Sequence, residues 1–333
     1  MNSNTAYSIR HYQKELGYVI PKNAYKPAYY KLVYMFGHVL WIFALLWLIS
    51  ISNSLIGFVG SSILIGLSIA CLFLYSHELS HDTIIKKRPW SYLLKSFFWA
   101  FSGIPPTVWD RVHNHTHHHT MNTLNDPDRK THISEKNIWN DIYNLFIYPN
   151  SVLRYSLTIG LAMIFYSIKH TAAVFYRNGN KPSIVTFRPS YSKKQKWKVV
   201  REIIYIISFW FLIWYSIGIY KGILVSVISW ITYSSFVIVF IITQHLGRPL
   251  YQDTADPLLT TTSVIIPKWL DKIIDRHSYH VEHHMFPSMN FDYYPQLSKE
   301  IEIKYSEKYY RVPFLKALKE TFKNGVYVED PFH

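Results

Sequence analysis

Three short runs of histidine hold the residues of this 333-residue sequence best suited to chemistry. The densest, W-D-R-V-H-N-H-T-H-H-H-T-M-N over residues 109–122, contains His113, His115, His117, His118 and His119. A second run is His77-Glu78-Leu79-Ser80-His81, and a third is His277-Ser278-Tyr279-His280-Val281-Glu282-His283-His284. Together they hold 11 of the 17 histidines, with long apolar stretches between them. Neutral imidazole is the commonest protein ligand of transition metals. The expected chemistry is therefore a metal centre assembled from distant parts of the chain, against the plainer alternative of solvated histidine-rich loops.

Spacing supports shared ligation within each run. His77 and His81 are four apart, which on a helix puts them on one face a turn apart. The same five residues also fit H-E-x-x-H, the zinc-protease pattern in which the Glu is a general base. His280-x-x-His283-His284 sets one imidazole a turn before an adjacent pair. The middle run holds two overlapping versions, His113-x-x-x-His117-His118 and His115-x-x-His118-His119, and spacing alone does not choose between them.

The elements that must position these runs are membrane helices. Apolar residues make up 49% of the chain and charged residues 17%, against about 25% in soluble domains. No Asp, Glu, Lys or Arg occurs between Lys31 and Glu78, a run of 46 residues. A spanning helix needs about 20 residues, so this run accommodates two, over 32–50 and 55–76, with a polar break at 50–54. Two more spans are expected over 203–220 and 223–244, turning at Lys221-Gly222. Residues 96–109 and 155–168 are apolar but short, and the first is broken by Gly103 and Pro105-Pro106, so both read as interfacial or re-entrant pieces. Residues 1–31 read as an aromatic, basic lead-in lying at the membrane surface, with no cleavable signal peptide. Residues 177–201 read as a basic loop, and 295–310 as a helix with Leu297, Ile301 and Tyr305 on one face.

The resulting fold class is an all-α integral membrane protein with four transmembrane helices as two hairpins and a cytoplasmic helical cap carrying the histidines. It forms one domain over 1–333, in segments 1–31, 32–76, 77–202, 203–245 and 246–333. Residues 1–31, 82–201 and 246–333 hold 5, 18 and 11 Lys/Arg, and the far side holds only Lys221. The positive-inside rule makes the shared side, with both termini, cytoplasmic. A formal net charge of +14 is then a topology signal more than a nucleic-acid footprint. The single cysteine, Cys71, excludes an intrachain disulfide and a multi-thiolate metal site and is expected as a buried apolar residue.

The runs H-E-L-S-H, H-N-H-T-H-H-H-T-M-N and Y-H-V-E-H-H-M-F-P resemble the histidine boxes of the membrane fatty acid desaturase family, which includes related hydroxylases and ketolases. The third, with its trailing Met285-Phe286-Pro287, is the most specific, and the resemblance covers roughly residues 30–300. In the family's second box an Asn stands four residues beyond the paired His. Asn122 stands four beyond His118, which favours His113, His117 and His118 as ligands, although Met121 replaces the usual Thr. The family's further ligand from the end of the fourth span matches His245 in T-Q-H-L-G.

The resemblance thus implies two iron ions held by His77, His81, His113, His117, His118, His245, His280, His283 and His284, with O2 as co-substrate. It implies a double bond introduced into an unactivated chain of an acyl-lipid or acyl-CoA. Glu78, Asp82, Asp126, Asp128 and Glu282 are candidates to orient the ring N–H groups, with Glu78 and Glu282 favoured because they sit inside boxes. His115, His119 and Asn122 are counted as supports, and His277 as a support at most. His38 is expected as a hydrogen-bonded core residue, while His11, His132, His170 and His333 are given no role. With no G-x-G-x-x-G and no haem-binding extension, electrons are expected from a separate ferredoxin or cytochrome b5-type donor. The expected location is a bacterial cell membrane in preference to the endoplasmic reticulum. Alternatives are a hydroxylase or ketolase on the same scaffold, a zinc membrane protease using His77, Glu78 and His81, and a non-enzymatic metal-binding membrane protein.

Overall fold

The computed structural model of the chain describes residues 6–86, 88–123, 125–128, 136, 138, 141, 152–175, 190–245, 248 and 255–324. A short helix, α1 (Ile9–Leu16), is followed by α2 (Lys31–Ile51) and α3 (Leu55–Ser80). The expected polar break lies between these two, where Ser54 caps α3 by accepting from the Gly57 N–H at 3.1 Å. Helix α4 (Ser91–Ser102) stops at Gly103, whose φ of 69° suits a residue without a Cβ. There follow α5 (Val152–Ala173), α6 (Lys193–Ile217) and α7 (Ile219–His245). The C-terminal part holds α8 (His280–Met285), α9 (Tyr294–Tyr305) and α10 (Phe314–Asn324), tied by a parallel pair of short strands, β1 (Ser263–Ile265) and β2 (Arg311–Pro313).

Four helices, α2, α3, α6 and α7, are long and apolar enough to cross a membrane. Half of the apolar stretch of α3 and of α7 is buried inside the protein, against 33% for α2 and 17% for α6. Helices α3 and α7 are therefore the central pair, and α2 and α6 show most of their surface to lipid. The central pair crosses at Gly66, where an added Cβ would lie 2.5 Å from the Ser229 carbonyl oxygen. Ser229 seals the crossing by donating its hydroxyl to the Ser62 carbonyl at 2.8 Å. Small residues let spanning helices approach this closely.

Several boundaries depart from the sequence reading, each for a local reason. The break between the last two spans falls at Gly218, with φ 91°, and not at Lys221-Gly222, because Ile219 and Tyr220 already continue the second helix. Residues 193–201 are the first turns of α6 and not loop, started by a capping box in which Ser192 and Gln195 satisfy each other's backbone N–H. The stretch expected over 155–168 is the longer helix α5, packed along α7, with Ser167 donating to the Gly103 carbonyl at 2.6 Å. In α4, Phe98, Trp99 and Phe101 are fully buried, so this piece belongs to the core and not to the interface.

The lead-in packs one face against the C-terminal part and leaves Tyr18, Tyr25 and Tyr29 exposed. Tyr12 and Leu16 of α1 pack among Met285, Phe286 and Leu297, and the Tyr12 hydroxyl donates to Asp256 at 2.9 Å. His38 is half-buried beside the Tyr75 ring, with no hydrogen bond among the described residues. Cys71 is buried, and Leu297 and Ile301 form the inner face of α9. His132 and His333 lie outside the described residues.

Candidate metal centre

The C-terminal ends of α3 and α7 bring His77, His81 and His245 to the same place. The middle box enters as a π-helical segment over Asp110–His117, running on into His118–Thr120. Its i→i+5 winding is wider than an α-helix and is often found at functional sites. Residues four and five apart then share a face, which turns His113, His117 and His118 inward, all buried, and leaves His115 and His119 exposed. The third box is α8, whose single turn and a half presents His280, His283 and His284.

These side chains form two adjoining groups. His77, His81, His113, His118 and His283 make one, and His117, His245 and His284 make the other, each with its ligand atoms within 4.8 Å of one another. His280 joins the second group, its Nε2 lying 2.6 Å from His245 Nε2 and 3.1 Å from His284 Nε2. Across the first group, His77 Nε2 faces His113 Nε2 at 2.8 Å, and His283 Nε2 faces His118 Nε2 at 3.1 Å. All nine histidines of the expected ligand set are thus brought together. The buried His81 Nε2 has no hydrogen-bond partner among the described residues. Such converging lone pairs, with no thiolate among them, suit a borderline transition metal such as iron or zinc.

The protonation states agree with that use. Burial, and then the neighbouring imidazoles, holds His113, His118, His280, His283 and His284 well below the ordinary histidine range. Burial, with Lys95 and His277 adding to it, lowers His81 to about 3. Neutral rings keep their lone pairs for a cation. His117 is the exception. Burial pulls it down, but Asp126 and then Asp128 outweigh burial and raise it to about 9.

The outer partners are not those expected from the boxes. Glu78 does not reach a histidine: Lys31 Nζ holds its two oxygens at 3.0 and 2.8 Å and also grips Asp275 at 2.7 Å, all three side chains being buried. Glu282 is a strut, accepting from the Ser263 hydroxyl at 2.6 Å and from the Tyr309 hydroxyl, and so ties α8 to β1 and to the segment just before β2. Asp82 pairs with Lys95 at 3.0 Å. The ring partners are Asp126, whose Oδ1 accepts from His117 Nδ1 at 2.9 Å, and Tyr294, 3.3 Å from His283 Nδ1. Because the Tyr294 hydroxyl donates to the Phe286 carbonyl at 3.2 Å, its oxygen accepts from His283, which leaves the His283 Nε2 lone pair facing inward.

Asp128 lies 3.6 Å from His117 Nδ1, 3.9 Å from His113 Nδ1 and 3.8 Å from the buried His170. Asn122, with φ 53°, donates to the carbonyls of His245 at 3.3 Å and Thr260 at 3.0 Å, pinning the middle box to the end of α7. Tyr294 stands ten residues beyond the third box with no signal in the sequence to mark it. Trp109 closes the floor, stacked on His113 with centroids 4.4 Å apart, and Trp99 and Phe73 lie beneath it.

A cluster of buried histidines at the end of an apolar helix bundle is compatible with metal binding. The fatty acid desaturase family model matches residues 52–315 of the 333. The chain belongs to the fatty acid desaturase family. The matched region contains all three histidine boxes and His245 and leaves out α1 and α2. None of the curated proteins matches the chain. Membership in the desaturase family, with the four apolar helices, makes it an integral membrane oxidoreductase of desaturase type that acts on an acyl substrate.

Proposed function

We propose that this desaturase family member introduces a double bond into an unactivated fatty acyl chain, carried as an acyl-lipid or acyl-CoA. Two irons would be held by His77, His81, His113, His118 and His283 on one side and His117, His245, His280 and His284 on the other. The observation that carries this reading is the convergence of nine imidazoles, from four separate stretches of chain, into two adjoining groups. When bound, the iron pair supplies the redox step, in which O2, two electrons and two protons take two hydrogens from a methylene pair and leave two waters.

The protein's own residues bind, orient and exclude. Asp126 and Tyr294 hold the hydrogens of His117 and His283 on Nδ1, so that both rings offer Nε2. Trp99, Trp109 and Phe73 keep water from the side of the cluster toward the bundle. Both termini and the histidine-bearing segments lie on the cytoplasmic side of a bacterial cell membrane, with the spans paired as two hairpins of one domain over 1–333. The basic excess of that side suits an acidic ferredoxin or cytochrome b5-type electron donor.

The zinc-protease alternative needs Glu78 as a free base, and its carboxylate is instead engaged twice by Lys31. A hydroxylase or ketolase would use the same centre with a different substrate placement. Expression in a host with matching redox partners, followed by gas chromatography–mass spectrometry of total fatty acids, separates the readings. A new unsaturated acid that is absent with His283→Ala supports the desaturase and locates the bond. A hydroxylated product keeps the centre and changes the reaction, and zinc with no lipid product overturns the proposal.

A further inference from the structure

The turn leading into the third box contains two consecutive non-glycine residues in the left-handed region, Asp275 at φ 53° and Arg276 at φ 60°. Side chains with a Cβ resist that conformation, so the surroundings have to hold it. Lys31, at the start of α2, reaches Asp275 at 2.7 Å while gripping Glu78. The Arg276 side chain pairs with the Asp271 carboxylate at 2.9 Å, and its N–H donates to the Asp271 carbonyl at 2.8 Å. Gln244, beside His245, donates to the His277 carbonyl at 2.6 Å.

What this support presents is the ring of His277. Its Nδ1 lies 2.9 Å from the Ile274 carbonyl oxygen, and its Nε2 lies 3.1 Å from His77 Nδ1. A carbonyl only accepts, so His277 Nδ1 carries the hydrogen and its Nε2 is left as an acceptor. The hydrogen between the two rings then belongs to His77 Nδ1, and the bare His77 Nε2 points at His113. We propose that His277 is a positioning residue that fixes His77 in the Nδ1–H tautomer, and that the buried Lys31–Glu78–Asp275 ion triad seats it there. The inference rests on the iron-centre reading given above. It differs from the support given to His117 and His283 in that one histidine sets another, itself set by a backbone carbonyl.

Two near-isosteres separate this role from packing. His277→Asn keeps a donor for the Ile274 carbonyl but stops short of His77. His277→Gln places an amide oxygen where Nε2 stands and can accept from His77. The full-length protein in lipid nanodiscs, stripped of metal, is titrated anaerobically with ferrous ion. Loss of an outer partner typically weakens metal binding about 10- to 100-fold, so His277→Asn is expected to show that loss and His277→Gln to stay within about threefold of the parent. Equal affinities in the two variants, whether both intact or both weakened, overturn the inference.

A parent protein that takes up no iron overturns the iron-centre reading itself. Imidazole 15N spectra of the metal-free parent, with His77 assigned through His77→Gln, give a separate readout that does not depend on the Asn variant folding. They should show His77 protonated on Nδ1, and a hydrogen on Nε2 would overturn the inference.

Discussion

His117 gives its Nδ1 hydrogen to a carboxylate, Asp126, whereas His283 gives its own to a neutral phenol, Tyr294, and His77 contacts a neutral histidine, His277. The two halves of the cluster therefore sit in different electrostatic surroundings. Beside His117, His245, His280 and His284 lie Asp126 and, 3.6 Å from His117, Asp128. In the half that holds His77 and His81, Glu78 and Asp275 are already shared by Lys31, and Asp128 approaches His113 at a longer 3.9 Å. A carboxylate partner raises the basicity of a ligating imidazole and offsets the charge of its metal. Nine chemically similar histidines thus stand in two unlike settings, and the difference lies one layer out.

The largest expected effect comes from deleting a ligand in either half. His81→Ala and His245→Ala should each reduce iron from about two per chain to about one and lower desaturation at least about 100-fold, since even an outer partner is worth 10- to 100-fold. Metal analysis alongside fatty acid profiles checks this, and loss of both irons from either variant would show the halves to be one unit. Next is Lys31→Met, which strands two buried carboxylates. It should cost about 3–5 kcal/mol of stability, read as a lowered unfolding temperature in detergent, with Lys31→Arg recovering much of it.

Asp126→Asn sharpens the comparison most directly. Ferrous affinity should fall about 10- to 100-fold at one position of the pair and hold at the other. An equal loss at both would erase the distinction. Gly66→Ala, at the α3–α7 crossing, should cost about 1–3 kcal/mol by overpacking, again read from thermal unfolding.

The smallest effect is a pH dependence of the metal-free protein. His81 at about 3 and His277 at about 4, both lowered chiefly by burial, lie below their unfolded value of about 6.5. Protons therefore favour the unfolded chain, and stability present above pH ~6.5 is lost as pH falls toward these values. His117, raised to about 9 as Asp126 and Asp128 outweigh burial, acts the other way, its contribution being full below pH ~6.5 and lost as pH rises through 9. Melting temperature should fall from pH 7 to pH 5 in the parent, and Asp126→Asn should remove only the alkaline decline.

The spans were legible because a charge-free run of 46 residues has few alternatives to crossing a bilayer. The convergence of the histidines was legible because their spacing repeats in three places. Spacing did not choose within the middle box, where the Asn122 register favoured His113, His117 and His118; the wider winding of 110–117 is what turns these three inward. Among the outer acids Asp126 was a candidate, but the preference for Glu78 was misread for a related reason. Glu78 follows His77 directly, and neighbours in a helix point in different directions, so the carboxylate turns away toward Lys31. Ser192-x-x-Gln195 was a readable helix start, outweighed by the basic residues that follow it.

The close crossing of α3 and α7 has a mechanical side. His77 stands 11 residues along α3 from Gly66, and His245 stands 16 along α7 from Ser229. At about 1.5 Å per residue these are lever arms of roughly 16 and 24 Å, so a tilt of about 3° about the crossing shifts a histidine by about 1 Å. A displacement of that size can lower a rate about 100-fold. The glycine in mid-membrane is thus the fulcrum of the centre, and the tolerance of the chemistry is set by how firmly two helices are pinned far from it.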